Sequence, residues 1–311
     1  MYKLLTLCIA LPITPQLHAH DGNHTGGDGY RHKTPSKVEI NTSGKQRHIK
    51  ANGIANHTTG KFPNTRNPHA ISSQDYRHQV PEKGVPAKQL TPLERQPFGI
   101  AINGVLFDPG TAEYWNQDRS SGWNYEALSG KIDLGEDRHH AHVQPNGAYH
   151  YHGLPTGLIE IIQQSKIEKK QMTLVGWAAD GFPIYAKYGY IDPNNPSKGI
   201  KEMQPSYQLK IGKRPGSIDP QSLKRIRQTT DSPEPGGSYD GTFVQDYDYK
   251  EGSGDLDQAN GRFGKTPEFP EGTYHYYITS EFPFIPRYFR GTPSPTFKKR
   301  HTRPHHHTRN P

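Results

Sequence analysis

The sequence predicts a β-dominated fold, all-β or α+β: a single domain of short antiparallel strands and hairpins with long loops and one short helix. Three observations carry this. Short runs of β-branched and aromatic residues recur between turn signals, as in Thr173–Tyr185 and Thr273–Thr279. Asn103-Gly104 and Asp180-Gly181 stand between apolar runs, where the pair takes the positive φ angles of a tight hairpin turn. Proline-rich stretches at 191–197, 214–220 and 231–237 are expected to be loops.

Taken in order, Lys3 and the apolar run Leu4–Thr14, followed by Leu17-His18-Ala19, have the layout of a secretory signal over residues 1–19. The run is about half the ~20 residues that span a bilayer, so no transmembrane anchor is expected. An exported protein, periplasmic or extracellular, follows. Cys8 is the one cysteine and lies in that segment, so disulfides and thiolate metal sites are not available to the rest of the chain. Residues 20–96 are rich in Gly, Asn, Pro, Lys and His with few clustered apolar residues, and are expected to be a disordered basic linker. Apolar and aromatic residues concentrate over 97–292, enough for one core. Strands are expected at Gly99–Phe107, Thr173–Tyr185 and Thr273–Thr279, with a helix capped by Thr156 and faced by Leu158, Ile159, Ile161 and Ile162. Residues 293–311 are expected to be a disordered, basic, His-rich tail.

The net charge of +8 sits in the flanks: residues 98–292 carry 20 Lys and Arg against 24 Asp and Glu. No specific nucleic-acid binding is expected, since no recognition motif accompanies the charge. The basic tails can still be drawn to anionic surfaces by salt-sensitive attraction.

The most informative stretch is His139–Gly153. A three-residue loop at Pro145-Asn146-Gly147 sets His142 opposite His150 and His140 opposite His152, all four on one face because side chains alternate along a strand. Cross-strand Cβ atoms ~5 Å apart let such imidazoles share a metal ion. A two-residue loop at Asn146-Gly147 would shift the register by one and send the pairs to opposite faces. With nitrogen donors and no thiolate, a divalent transition ion is expected, copper or zinc ahead of iron. Gly272-Thr273-Tyr274-His275-Tyr276 echoes Gly147-Ala148-Tyr149-His150-Tyr151. The echo reads first as the preference of strands for aromatic residues and second as a distant internal repeat. His275 is a candidate fifth ligand from a neighbouring strand. Asp180 is a candidate ligand or carboxylate partner of one, though a plain turn role suits it better. Asp255, Asp257 and Asn260 form an acidic, Gly-rich loop that departs from the EF-hand spacing, leaving calcium a minor reading.

The chain resembles the YHYH-domain proteins, a family of exported proteins named for Tyr149-His150-Tyr151-His152. The likeness extends over His140–Gly147, Leu174–Tyr185, Tyr239–Phe243, Asp246–Tyr249, Gly254–Arg262, Thr266–Tyr276 and Phe282–Thr292. It implies the domain and the export, and brings no activity with it. Three function classes follow: a metal-binding protein, a metal-dependent hydrolase or copper redox enzyme, and a metal-free module binding a small molecule or a protein. No nucleophile elbow, phosphate loop or His-Glu-x-x-His helix is present.

Overall fold

The computed structural model describes residues 29–165, 168–216 and 234–298. The chain enters through a three-stranded antiparallel sheet: β1 (Val38–Ser43), β2 (Gln46–Ala51) and β3 (Tyr76–Pro81). Gly44 and Lys45, with φ of 59° and 64°, form the two-residue turn between β1 and β2. In β2 alternate residues Arg47, Ile49 and Ala51 turn inward, and the Arg47 guanidinium lies 3.3 Å from the centre of the Trp177 ring. In β3, His78 and Val80 are buried, His78 stacking on Phe297 at 3.9 Å. Two expectations are therefore corrected. Residues 29–96 are not a disordered linker, and residues 293–298 are not free tail, because Pro295–Phe297 form a 3₁₀ turn that seats Phe297 against β3. The expected signal segment and the tail beyond 298 lie outside the described residues.

A two-residue strand, β4 (Thr91–Pro92), leads into the central sheet. That sheet is built from β5 (Gly99–Ala101), β6 (Leu106–Phe107), β7 (Ala141–Val143), β8 (Tyr149–Tyr151), β9 (Leu174–Ala178) and β10 (Pro183–Tyr185). It is completed by β15 (Gly261–Gly264) and β16 (Thr273–Tyr277), reached after the hairpin β11 (Tyr188–Asp192) and β12 (Asn195–Glu202) and the pair β13 (Tyr207–Leu209) and β14 (Tyr247–Tyr249). The last strand, β17 (Tyr288–Phe289), pairs back on β4. The chain is thus strand-dominated, as its sequence predicts. The stretch 191–197, expected as a loop, is instead the tip of a hairpin, with Asp192 of β11 paired to Asn195 of β12.

Spatial order in the central sheet is β15-β16-β10-β9-β5-β6-β8-β7. The hairpins β5–β6 and β9–β10 turn at Asn103-Gly104 and Asp180-Gly181, with Gly104 at φ 81° and Gly181 at φ 88°. These are the turns that the dipeptides predict. The single α-helix among the described residues, α1 (Thr156–Gln163), buries Leu158 and Ile159. Burial of each such side chain is worth about 1.5–3 kcal/mol. Thr156 does not cap it. Its hydroxyl instead donates to the Arg138 carbonyl and meets His139 Nδ1 at 2.7 Å, and Gln164, in the left-handed region, ends the helix. One contiguous core joins both layers, from Ile49 and Val80 through Phe98, Phe107 and Trp177 to Tyr276 and Phe297.

Candidate metal centre

The β7–β8 hairpin takes the three-residue loop. Gly147 N donates to Gln144 O at 2.8 Å, Gln144 N donates to Ala148 O at 3.0 Å, and Gly147 sits at φ 84°. His142 therefore pairs with His150. His150 and His152 share a face of the strand, so three imidazoles converge. Nε2 of His152 lies 3.0 Å from Nε2 of both His150 and His142, and the ligand atoms of all three fall within 4.8 Å of one another. A tetrahedral ion with Zn–N bonds of ~2.05 Å sets its nitrogens about 3.3 Å apart, close to this spacing.

Backbone carbonyls fix the tautomers. His142 Nδ1 donates to Leu134 O at 3.1 Å, and His150 Nδ1 donates to Ala148 O at 3.2 Å. A carbonyl only accepts, so both Nδ1 atoms carry hydrogen and both Nε2 atoms present lone pairs to the same point. The third ring, His152, is buried, and its Nδ1 has no hydrogen-bond partner. Burial, and then its two neighbouring imidazoles, hold His152 well below the usual histidine range. Burial likewise lowers His142, against the opposing pull of the Leu134 carbonyl and of the Glu113 and Asp108 carboxylates. Neutral imidazoles with converging lone pairs are the state in which histidine binds metal, and Nδ1–H bonded to a carbonyl is its usual support.

The sequence pattern of the YHYH proteins matches residues 77–291. The chain belongs to the YHYH protein family. No curated protein and no solved structure matches it. In this YHYH protein the two tyrosines of the tetrapeptide face away from the imidazoles. Tyr149 donates to Asp137 at 2.7 Å; Tyr151 donates to His57 Nε2 at 2.7 Å and accepts from Asn103 Nδ2 at 3.0 Å. His57 stands outside the matched stretch and was not singled out by sequence, since its partner lies 94 residues away. The supporting Leu134 carbonyl carries no sequence signal either.

Three of the expected site residues stand elsewhere. His140 takes a left-handed φ of 54°, which breaks the strand alternation, and its Nδ1 bonds the Leu154 carbonyl at 2.9 Å. The pairing of His140 with His152 survives only in the backbone, where His152 N donates to His140 O at 2.7 Å. His275 lies in β16, separated from β8 by β10, β9, β5 and β6, and its Nε2 meets the Tyr277 hydroxyl at 2.9 Å. Asp180 is buried in the β9–β10 turn, where it accepts from the Tyr276 hydroxyl at 2.5 Å and Gly291 N at 2.8 Å. It pins the C-terminal segment and is no partner of the three histidines.

The calcium reading fares no better. Asp255 pairs with Lys201 at 2.6 Å, Asp257 accepts from Tyr274 and from Ala259 N and Gly261 N, and Asn260 donates to Tyr277 O and Thr279. The two carboxylates of the acidic loop are taken up by bonds within the protein. Among the described residues, no helix is long and apolar enough to cross a membrane.

Proposed function

We propose that this YHYH protein is an exported metal-binding protein that holds one divalent transition ion, copper or zinc, on Nε2 of His142, His150 and His152. The observation that carries the reading is the convergence of three imidazole nitrogens, two of them fixed as lone pairs by Nδ1–H bonds to carbonyls. Without a cation, a single Nε2–H of His152 is the one donor among the described residues available to both lone pairs, at 3.0 Å from each. Nitrogen donors alone suit copper and zinc better than calcium or magnesium. Export rests on the signal layout of residues 1–19 and on the family resemblance.

Three protein ligands are one fewer than a closed tetrahedral site requires, and that count favours a second reading, a metal-dependent hydrolase or copper redox enzyme. A bound ion would supply Lewis acidity there. The chain's own contribution is positional: the Leu134 and Ala148 carbonyls aim two rings, and burial favours the neutral form of His142 and His152. The third class, a metal-free binding module, requires that the lone pairs be satisfied in another way.

The test is elemental analysis of full-length protein prepared without a His tag or a metal column, beside a His150→Ala/His152→Ala variant. Taking the difference cancels ion held loosely by histidines elsewhere in the chain. One equivalent lost in the variant supports the reading; a difference under ~0.1 per chain, with unchanged circular dichroism, defeats it. Turnover of a model ester or phosphoester by metal-loaded protein, absent in the variant, would place it among enzymes.

A further inference from the structure

The central sheet repeats itself about the β5–β9 pairing. On one side stand β5, β6, β8 and β7; on the other stand β9, β10, β16 and β15, in the same order outward. β6 runs parallel to β8 and β10 parallel to β16, while each outer pair is antiparallel. The match extends to single bonds. Ala101 N donates to Val105 O at 2.8 Å, and Ala178 N to Phe182 O at 2.9 Å. Asp137 N donates to Ala141 O and Asp257 N to Gly261 O, and the residues that follow in each turn, His140 and Asn260, both have φ of 54°. Tyr149 donates to Asp137 as Tyr274 donates to Asp257; Tyr151 meets Asn103 as Tyr276 meets Asp180. His275 Nδ1 donates to Thr273 O as His150 Nδ1 donates to Ala148 O, each two residues back. The preference of strands for aromatic residues does not account for agreement at this level, and the internal-repeat reading replaces it.

The correspondence assigns a counterpart to every metal-centre residue. His275 stands for His150. Arg262, paired with His275 as His142 is with His150, stands for His142. Tyr277 stands for His152, its hydroxyl 2.9 Å from His275 Nε2. The Arg262 guanidinium lies 5.7 Å from the Tyr277 ring, donates to the Tyr190 carbonyl, and makes no ion pair among the described residues; its Nε is buried with no hydrogen-bond partner. We propose that Arg262, His275 and Tyr277 form a latent second metal site, closed because the guanidinium supplies the positive charge an ion would bring. The Tyr277 hydroxyl satisfies the His275 lone pair and the guanidinium beside the Tyr277 ring supplies a fixed positive charge, so this half needs no metal. Exchange of Arg262 and Tyr277 for histidine removes both and rebuilds three imidazoles on the same backbone.

This inference rests on the metal reading of the first half, and the experiment separates the two. Full-length wild type, Arg262→His/Tyr277→His and the reciprocal His142→Arg/His152→Tyr are prepared alike and loaded with zinc, or with cobalt for its visible absorption. The expected contents are one ion above the reciprocal variant for wild type, two for the first variant, and a folded, ion-free first half in the reciprocal. Wild type equal to the reciprocal variant defeats the metal reading alone, and one ion gained by Arg262→His/Tyr277→His over wild type still supports the latent site. No gain in a folded first variant overturns it. If that variant does not fold, the reciprocal decides: native circular dichroism in EDTA supports the equivalence, and loss of fold overturns it.

Discussion

Replacing His78 by phenylalanine should make the metal-free protein less stable at neutral pH and more stable in acid. The His78 ring is buried beneath Phe297, its Nδ1 contacts Thr296 O at 3.1 Å, and its Nε2 has no partner. Burial lowers its pKa to about 4, with the Thr296 carbonyl opposing. A base depressed in the folded state leaves the unfolded chain to take the proton first. Stability is therefore intact above about pH 6.5 and falls as the pH drops towards 4. At pH 4.5 the unfolded imidazole has gained about 2.7 kcal/mol from protonation and the folded one about 0.2, a loss of about 2.5 kcal/mol. Phenylalanine keeps the stack, forfeits one hydrogen bond worth about 1 kcal/mol, and does not titrate. His78→Phe should then be about 1 kcal/mol less stable at pH 7 and about 1.5 kcal/mol more stable at pH 4.5. Urea unfolding at the two pH values, extrapolated to water, reads the crossing. A difference from wild type that is the same at both pH values would refute the reasoning.

Asp180 should work in the opposite sense. Burial raises it to about 6 against the bonds it accepts, so stability falls as pH rises from about 4 to 6, by about 3 kcal/mol. Asp180→Asn should flatten that part of the urea-measured profile; an unchanged slope tells against a buried carboxylate. Gly147→Val should cost about 2–4 kcal/mol and release bound metal, because φ is 84° and a Cβ there would lie 2.0 Å from Ser72 Oγ. Thermal unfolding with parallel metal analysis checks it, and wild-type values for both would disprove the turn's role. His140→Ala should keep its metal while His142→Ala loses it; equal retention would return His140 to the ligand set. EDTA should lower the melting point of wild type by several degrees, as a site filled at 100 times its Kd contributes about 2.7 kcal/mol, and leave His150→Ala/His152→Ala unmoved.

What was legible in the sequence was local. Asn103-Gly104, Asp180-Gly181 and Pro145-Asn146-Gly147 each fix a turn within a few residues, and the last sets the pairing of His142 with His150. His140 misled because its left-handed φ is set by the turn at Asp137, where His140 N donates to the Asp137 carbonyl. Histidine enters the left-handed region more often than most side chains, but too rarely for the residue type alone to announce it. The first sheet was illegible for a different reason. Its inward residues include Arg47, buried on Trp177, and His78, buried on Phe297. A composition count scores both as polar, although their partners across the chain make them core. The repeat was visible only as an echo of Tyr-His-Tyr, since Arg262 and Tyr277 stand where the first half has histidines.

The alternation of tyrosine and histidine in β8 has a mechanical consequence. The hydroxyls of Tyr149 and Tyr151 are moored behind the strand, on Asp137 and His57, while the imidazoles project in front. A strand held so cannot roll about its own long axis without tearing out a mooring. Rolling is the motion that would swing His150 and His152 to widen or narrow the gap for ions of different radius. The hairpin is therefore stiff in the one direction in which a hairpin is normally compliant, and under the proposed metal reading discrimination between ions would fall to bond length and preferred angles. Cutting a mooring with Tyr151→Phe should leave the three donors in place and loosen that discrimination.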